Sequence, residues 1–403
     1  MKVLWFSNSP ANATEVLMKN INSGGWLSSL DKAIQNKVEL NVAFYYPKTN
    51  ESFRYLNTVY HPIGEKYWKF LALKEIFWKN YKDLDDLPVY LKIIDEVKPD
   101  IIHIHGTENP FGCILGKTKI PVIISIQGII TVCFHKFFTG IERKYLLFSY
   151  LLRKNYRDLF IDRDFRIKHK YFTHSSNREI RNISRMKFII GRTDWDRRVT
   201  SILAPESQYF HVDEILRDSF YNARWTPHNN RDAILIHTTS SNSNYKGLET
   251  VCESLYLLQK HKIKVEWQIA GVNKKDLIVH IVKRKLKNRF PESGLSFLGN
   301  LNEKELANQL LESDIYVMPS HIENSPNSLC EAMILGMPCI STYAGGSGSM
   351  LKDGEEGILI QDGDPWAMAG AILELLKDRK KAENFGNSAR KRAITRHDKF
   401  TIV

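Results

Sequence analysis

Long apolar runs are missing from this 403-residue chain. A membrane-spanning helix needs about 18 or more consecutive apolar residues, and no such stretch occurs, so none is expected. The opening MKVLWFSNSPANATEVL has one lysine and a short apolar stretch. It turns polar too soon for a secretory leader and reads as a first strand entering a loop, which sets a cytoplasmic expectation. Cysteine is scarce as well: Cys113, Cys133, Cys252, Cys330 and Cys339, with no Cys-x-x-Cys and no His/Cys cluster. That excludes a disulfide framework or zinc site and leaves reduced, mostly buried thiols. No Gly-x-Gly-x-x-Gly follows any expected strand, which weakens a dinucleotide-binding reading. Internal repeats and low-complexity tracts are absent too.

What remains is an ordinary globular composition, 43% hydrophobic and 25% charged. The length suggests two or three domains. The formal net charge is +12 and unevenly spread: Lys136 to Arg198 holds 17 Lys/Arg against 7 Asp/Glu. A basic surface of this kind fits an anionic partner such as nucleic acid, a phosphate-bearing substrate or anionic lipid.

Short β-branched runs alternate with helical patterns. Expected strands are KVLWFSN from Lys2, VELNVAFYY from Val38, DIIHIHG from Asp100, VIISIQG from Val122 and MKFIIGR from Met186. All are apolar on both faces, as parallel strands between helix layers are. DLPVYLKIIDEVK has helical spacing and stops before Pro99. A polar stretch around Pro227 reads as a linker. A second series follows: AILIHTT, VEWQIAG, LSFLGN, DIYVMPS, PCIST and GILI, with GLETVCESLYLLQKH, EKELANQLLES, NSLCEAMIL and PWAMAGAILELLKD as helices between them. The expected fold is α/β, two doubly wound domains of parallel sheet: residues 1–225, residues 226–380, and a charged C-terminal helix in 381–403 that crosses back to the first domain. Ligands of such sheets sit at the carboxyl ends of the strands, so two facing domains would share a cleft there.

The most informative stretch is PSHIENSPNSLCEAMILGMPCIST, Pro319 to Thr342. Ser325 suits a helix cap, Pro326 the first helical position and Gly336 the stop. The amides of Asn327, Ser328 and Leu329 would then point out of a helix N-terminus, a ready phosphate site. Glu323 lies just before the helix and Glu331 in its second turn. The bland alternative is a capped helix with two surface glutamates.

Glu323-x7-Glu331, with EAMILGMPCIST and GGSGSMLKDGEEGILI after it, resembles the signature of family-4 retaining glycosyltransferases of the GT-B fold, in which two Rossmann-like domains face each other across a cleft. The resemblance implies that Glu323 contacts the donor sugar and Glu331 the ribose of a nucleotide sugar. It implies that Lys246, in SSNSNYKGLE, neutralises the donor diphosphate, a point charge that would stabilise the departing phosphate. Gly24-Gly25 matches a glycine pair facing the diphosphate, although paired glycines alone are only a turn signal. Gly345-Gly346 offers amides toward the sugar. His103 and His105 match a His-x-His-Gly segment that lines the cleft, with a packed strand-end histidine as the alternative. The match is good over the second domain and only an outline over the first.

Three departures stand out. The family carries an arginine shortly before the lysine, where this chain has Thr238, Thr239, Ser240 and Ser241. Either hydroxyls and amides substitute, or Arg192 or Arg217 swings in; both arginines suit structural ion pairs equally. Gln127 stands where the family strand ends in His-Gly; it can bind a sugar hydroxyl but cannot act as a base. Ser349 replaces a glutamate that follows the Gly345-Gly346 pair.

The resemblance therefore implies transfer of a sugar from a UDP- or GDP-sugar to a glycan or lipid-linked glycan hydroxyl, with retention, in surface-polysaccharide synthesis. Glu323, Lys246 and Gln127 are the expected catalytic group. No cofactor and no metal are expected, the nucleotide sugar being a co-substrate. Residues 134–160 mix aromatic, aliphatic and basic side chains in a pattern that suits an anionic membrane surface on the cytoplasmic side, or a basic helix packed on the domain. Nucleic acid is not an expected partner, since no nucleic-acid motif accompanies the charge. The rival readings are a sugar-nucleotide epimerase or phosphorylase of the same architecture, and a non-enzymatic basic binding protein.

Overall fold

The computed structural model describes residues 1–17, 25–46, 48–64, 84–141, 156–228 and 231–403. These fall into two compact units. The first comprises Met1–Phe134, Ile167–Ile215 and Asp398–Val403; the second comprises His135–Arg166 and Leu216–His397.

The first unit is built on an eight-stranded sheet, in the order β3-β4-β2-β1-β5-β6-β7-β8. Its strands are β1 Lys2–Ser7, β2 Glu39–Tyr45, β3 Phe53–Tyr55, β4 Thr58–Ile63, β5 Ile101–His105, β6 Val122–Ser125, β7 Phe188–Gly191 and β8 Gln208–His211. All pairings are parallel except β3 with β4. Strand β1 shows why both faces are apolar. Leu4 and Phe6 enter one buried cluster with Ile102, Ile104 and Ile124. Val3 and Trp5 enter another with Leu40, Val42 and Phe44. Successive side chains point to opposite faces, so a strand covered on both sides must be apolar throughout.

Three strands escape the sequence pattern, and all lie toward the sheet edges. β8 is largely exposed. β3 is three residues long. β4 contains His61 and Pro62; Pro62 lies past the end of the antiparallel pairing with β3, which stops at Tyr60.

The second unit has six parallel strands: β9 Ile234–Thr239, β10 Val265–Ala270, β11 Leu295–Gly299, β12 Ile315–Met318, β13 Cys339–Thr342 and β14 Ile358–Ile360. Their order is β11-β10-β9-β12-β13-β14. Counted from β9 this is 3-2-1-4-5-6, the Rossmann order, whose ligand crevice opens where the chain reverses direction between its first and fourth strands. Here that point lies between β9 and β12. All four residues of β12 are buried.

The charged helix expected in 381–403 runs Arg379–Arg396 and belongs to the second unit; only Asp398–Val403 is grouped with the first. Ala382, Phe385, Gly386, Ala389 and Ala393 form its buried stripe. A Cβ on Gly386 would lie 2.1 Å from the Gly336 carbonyl oxygen, so a glycine is what lets this helix approach the end of the helix Asn327–Leu335. The segment 134–160 lies mostly outside the described residues. In its described start Phe137 and Ile141 are buried, and Lys136 Nζ lies 3.6 Å from Asp362. No helix among the described residues is long and apolar enough to cross a membrane.

Candidate functional site

The loops at the crevice of the second unit are fixed by backbone contacts that only glycine permits. β9 ends at Thr239, and a short turn Asn244–Lys246 leads to Gly247, φ 69°. A Cβ there would sit 2.0 Å from the Pro319 carbonyl oxygen, just past β12. The His321 amide donates to the Tyr245 carbonyl at 2.8 Å. Gly345, φ 57°, closes on the same loop from the other side; its Cβ would lie 1.9 Å from the Glu323 carbonyl oxygen, which accepts from the Gly346 amide at 2.9 Å. Three loops, after β9, β12 and β13, are thereby clamped together.

The clamp brings Lys246 to Glu323. Lys246 Nζ donates to Glu323 Oε1 at 2.5 Å, and Ser320 Oγ donates to the same oxygen at 2.7 Å. Both groups retain some solvent exposure, 23% and 13% of their side chains. A cation and an anion side by side at a strand-end crevice form a pair that an incoming diphosphate, itself anionic, can reorganise.

The helix Asn327–Leu335 follows. Its cap is Pro326, and no side-chain bond caps it. The expected Ser325 cap is thus corrected: the Ser325 hydroxyl instead faces Met350 Sδ at 3.5 Å. The Leu329 amide donates to the Pro326 carbonyl at 3.0 Å, so this first-turn donor is engaged within the protein. The first two amides, Asn327 and Ser328, have no carbonyl one turn back to receive them. They are the donors left for an anion. Gly336 closes the helix in the left-handed conformation, φ 87°.

Glu331 is 4% exposed and is gripped by Arg217. Arg217 Nε donates to Oε1 and Nη2 to Oε2, each at 2.8 Å. Burial pushes the Glu331 carboxyl up and the guanidinium only partly pulls it back. Burial also works against the Arg217 charge, but the Glu331 carboxylate outweighs it and raises the Arg217 pKa. This revises two expectations. Arg217 is seated on Glu331 and does not stand free for phosphate. Glu331 offers a ribose only the second lone pair of each oxygen. Among the hydroxyls before Lys246, Thr238 Oγ1 is spent inside the fold, donating to Val317 O and accepting from Trp267 Nε1. Ser240 Oγ, at the end of β9, is buried without a partner among the described residues.

The first unit places its candidates differently. Gly24 lies outside the described residues. Gly25, φ 55°, opens the helix Gly25–Ile34, where a Cβ would meet nothing within 4 Å among the described residues. His105 is fully buried, packed against Trp5, His103 and Trp26. Burial, then the neighbouring His103 and Arg192, hold its pKa well below the ordinary value, so it is a neutral core ring and does not line an open surface. His103 is neutral too, its pKa lowered to about 3 by burial and by Arg192, and its Nε2 meets Ser125 Oγ at 2.6 Å. Arg192, expected as a phosphate candidate, is 4% exposed, stacked over Trp26 at 4.1 Å and 3.7 Å from Glu214. Gln127, two residues past β6, is half-buried, and its Nε2 has no partner among the described residues.

One residue of this unit escaped sequence reasoning. Glu108 follows β5, and its Oε2 accepts from Asn8 Nδ2, just past β1. Asn8 Oδ1 in turn accepts from Asn109 at 2.7 Å. A Cβ on Gly106 would lie 2.1 Å from Glu108 Oε2. Burial raises the Glu108 pKa to about 7, against the Asn8 bond. The signal was a carboxylate two positions after a strand-end glycine, in His-Gly-Thr-Glu-Asn.

Residues 222–392 match the protein family described as Glycosyl transferases group 1. The N-acetyl-alpha-D-glucosaminyl L-malate synthase of Bacillus anthracis is 30% identical over 159 residues, 40% of this chain and 40% of that protein. The capsular polysaccharide biosynthesis glycosyltransferase CapM of Staphylococcus aureus is 32% identical over 98 residues, 24% of this chain and 23% of that protein. The chain thus aligns with two fifths or less of either relative's length. Among solved structures, the sucrose-phosphate synthase of Thermosynechococcus elongatus superposes with a TM-score of 0.72 at 12% identity, covering 100% of this chain and 96% of that one. Anabaena Alr3699/HepE, in complex with UDP and glucose, gives 0.64 at 14% identity, covering 100% and 97%.

Proposed function

With residues 222–392 forming a glycosyl transferases group 1 domain in a chain of GT-B-type fold, we propose that the protein moves a sugar from a UDP- or GDP-sugar to a hydroxyl of a glycan or lipid-linked glycan, with retention of anomeric configuration. The observation that carries this reading is the Lys246–Glu323 pair at the strand-order reversal of the second unit, beside a helix N-terminus.

In this reading Lys246 and the Asn327 and Ser328 amides hold the diphosphate. The positive end of the helix favours the same charge. Glu331, oriented by Arg217, accepts from the ribose, and Glu323 accepts from the sugar. Among the described residues both side-chain hydrogen bonds to Glu323 fall on Oε1, so Oε2 is the oxygen left to a sugar hydroxyl. The Gly345-Gly346 loop supports Glu323 through the Gly346 amide. Gln127 is kept as the proposed second sugar contact.

The acceptor oxygen attacks the anomeric carbon while the bond from that carbon to the diphosphate breaks. The leaving phosphate takes the acceptor proton on the same face, so no side-chain base is required. Lys246 stabilises the charge that develops on the leaving oxygen. Metal independence follows as a proposal, since lysine and amides supply the neutralisation. The relative named for capsular polysaccharide biosynthesis and the HepE complex with UDP and glucose support a uridine donor and a polysaccharide setting.

The test is a product assay with UDP- and GDP-sugars. Transfer with an unchanged anomeric configuration is expected. Conversion of the donor sugar with no acceptor present would favour an epimerase, and phosphate-dependent release of sugar phosphate a phosphorylase.

A further inference from the structure

Behind the Lys246–Glu323 pair lies a buried chain of charge that the proposed reaction does not use. His321 is completely buried between two carboxylates. Its Nε2 meets Glu249 Oε1 at 2.6 Å and its Nδ1 meets Asp362 Oδ2 at 3.3 Å. Glu249 is in the first turn of the helix Leu248–Lys260, three residues after Lys246, and is itself buried. His321 lies two residues before Glu323. Glu249 is thus attached to the turn that carries Lys246, and His321 to the loop that carries Glu323.

A third segment covers it. Residues 135–141 are grouped with the second unit. Gly140, φ 76°, passes so close that a Cβ would lie 2.0 Å from Glu249 Oε1 and 2.6 Å from His321 Nε2. Lys136 approaches Asp362 at 3.6 Å, and Asn244 Nδ2 donates to the Phe137 carbonyl at 3.2 Å. Phe137 and Ile141 anchor the strap by burial.

We infer that His321 is a positioning residue: clamped between Glu249 and Asp362 under the Gly140 strap, it locks the turn that carries Lys246 to the loop that carries Glu323. This rests on the reading of that pair as the donor diphosphate and sugar site. The backbone bond from the His321 amide to Tyr245 sets the same two loops side by side, and the side-chain clamp holds them in register. Burial opposes a charge on His321, but Glu249 and then Asp362 outweigh it and raise its pKa. The groups facing the ring are therefore Glu249 from the helix and Asp362 from the loop after β14, with Lys136 behind Asp362. When the ring loses its proton, one hydrogen bond to a carboxylate is lost and two carboxylates are left flanking a neutral ring. The lock then loosens as pH rises through the raised pKa.

The experiment uses the full chain and two variants, His321→Gln and the neutral double Glu249→Gln/His321→Gln, the second leaving Glu249 uncharged where the first would leave it unpaired. UDP is the probe, titrated calorimetrically from about pH 6 to about pH 9, the range across which a raised imidazole loses its proton, and crystal structures report the Lys246–Glu323 contact. Both variants are expected to bind UDP roughly tenfold more weakly at the acid end, the size of an indirect coupling. They should also lack the alkaline fall in affinity of the parent, and their Lys246–Glu323 contact should open. Parental UDP affinity across the pH range, with that contact unchanged, would overturn the inference. If the parent itself binds no UDP, the donor reading fails separately. The crystal structures still decide the lock, an opened contact supporting it and an unchanged one refuting it.

Discussion

The two units carry the same kind of crevice and furnish it differently. In the first unit the strand order reverses between β1 and β5, and the residues just past those strands are Asn8 and Glu108, a half-buried carboxyl raised toward neutrality. In the second unit it reverses between β9 and β12, and the loops there bear Lys246 and Glu323, an oppositely charged pair. The second crevice is braced by two left-handed glycines, Gly247 and Gly345, whose absent side chains admit neighbouring carbonyls. A Cβ on Gly25 in the first unit would meet nothing within 4 Å among the described residues. The difference teaches where geometry is being held for chemistry: rigid backbone apposition and a cation on one side, hydrogen-bonding amides and a titratable acid on the other.

The contrast can be broken by mutation. Lys246→Ala removes the proposed charge on the leaving phosphate, and turnover should fall on the order of a hundred- to a thousandfold with the melting temperature little changed. A loss below tenfold would detach Lys246 from the chemistry. Arg217→Ala leaves the buried Glu331 carboxylate without its partner and should cost about 3–5 kcal/mol in urea unfolding. Arg217→Met with Glu331→Leu should restore most of that stability while nucleotide binding stays lost. Equal damage in single and double variants would mean that packing, and not the unpaired charge, was at stake.

Gly247→Ala and Gly25→Ala sharpen the comparison directly. Both force an L-residue into the left-handed region, which costs about 1–2 kcal/mol. Only Gly247→Ala also drives a methyl into the Pro319 carbonyl, so it alone should disable turnover. Glu108→Gln tests the other crevice. A carboxyl raised to about 7 when folded, from 4.5, binds a proton that the unfolded chain releases, so the folded state loses stability as pH rises between those values. The urea midpoint of Glu108→Gln should therefore decline less from pH 5 to pH 8, two flanking values on the order of that window, than the parent's does. Chelator should have the smallest effect of all. Full loss of activity with EDTA, restored by manganese, would contradict phosphate neutralisation by Lys246 and amides.

Much of this was legible in the chain. The central parallel strands announced themselves because burial on both faces demands unbroken apolar runs, as in β1 and β12. Edge strands β3 and β8 did not, since solvent relaxes that demand. Lys246, Glu323 and Glu331 were legible as a resemblance. What they touch was not: Arg217 reaches Glu331 across 114 positions, and His321 reaches Glu249 across 72. No local spacing encodes such contacts; they depend on how loops from different strands meet. Ser325 looked like a cap from residue type alone, but the turn opens one residue later at Pro326. His105 looked like a cleft residue from its place at a strand end, yet the rings of Trp5 and Trp26 seal it in.

The most direct test of the donor site is the thermal shift produced by UDP and GDP in the parent and in Lys246→Ala. A ligand that binds only the folded state raises the melting temperature. One of the two nucleotides should raise that of the parent clearly and leave Lys246→Ala nearly unmoved. An equal shift in both proteins, or none in the parent with either nucleotide, would contradict the placement of the donor diphosphate at Lys246.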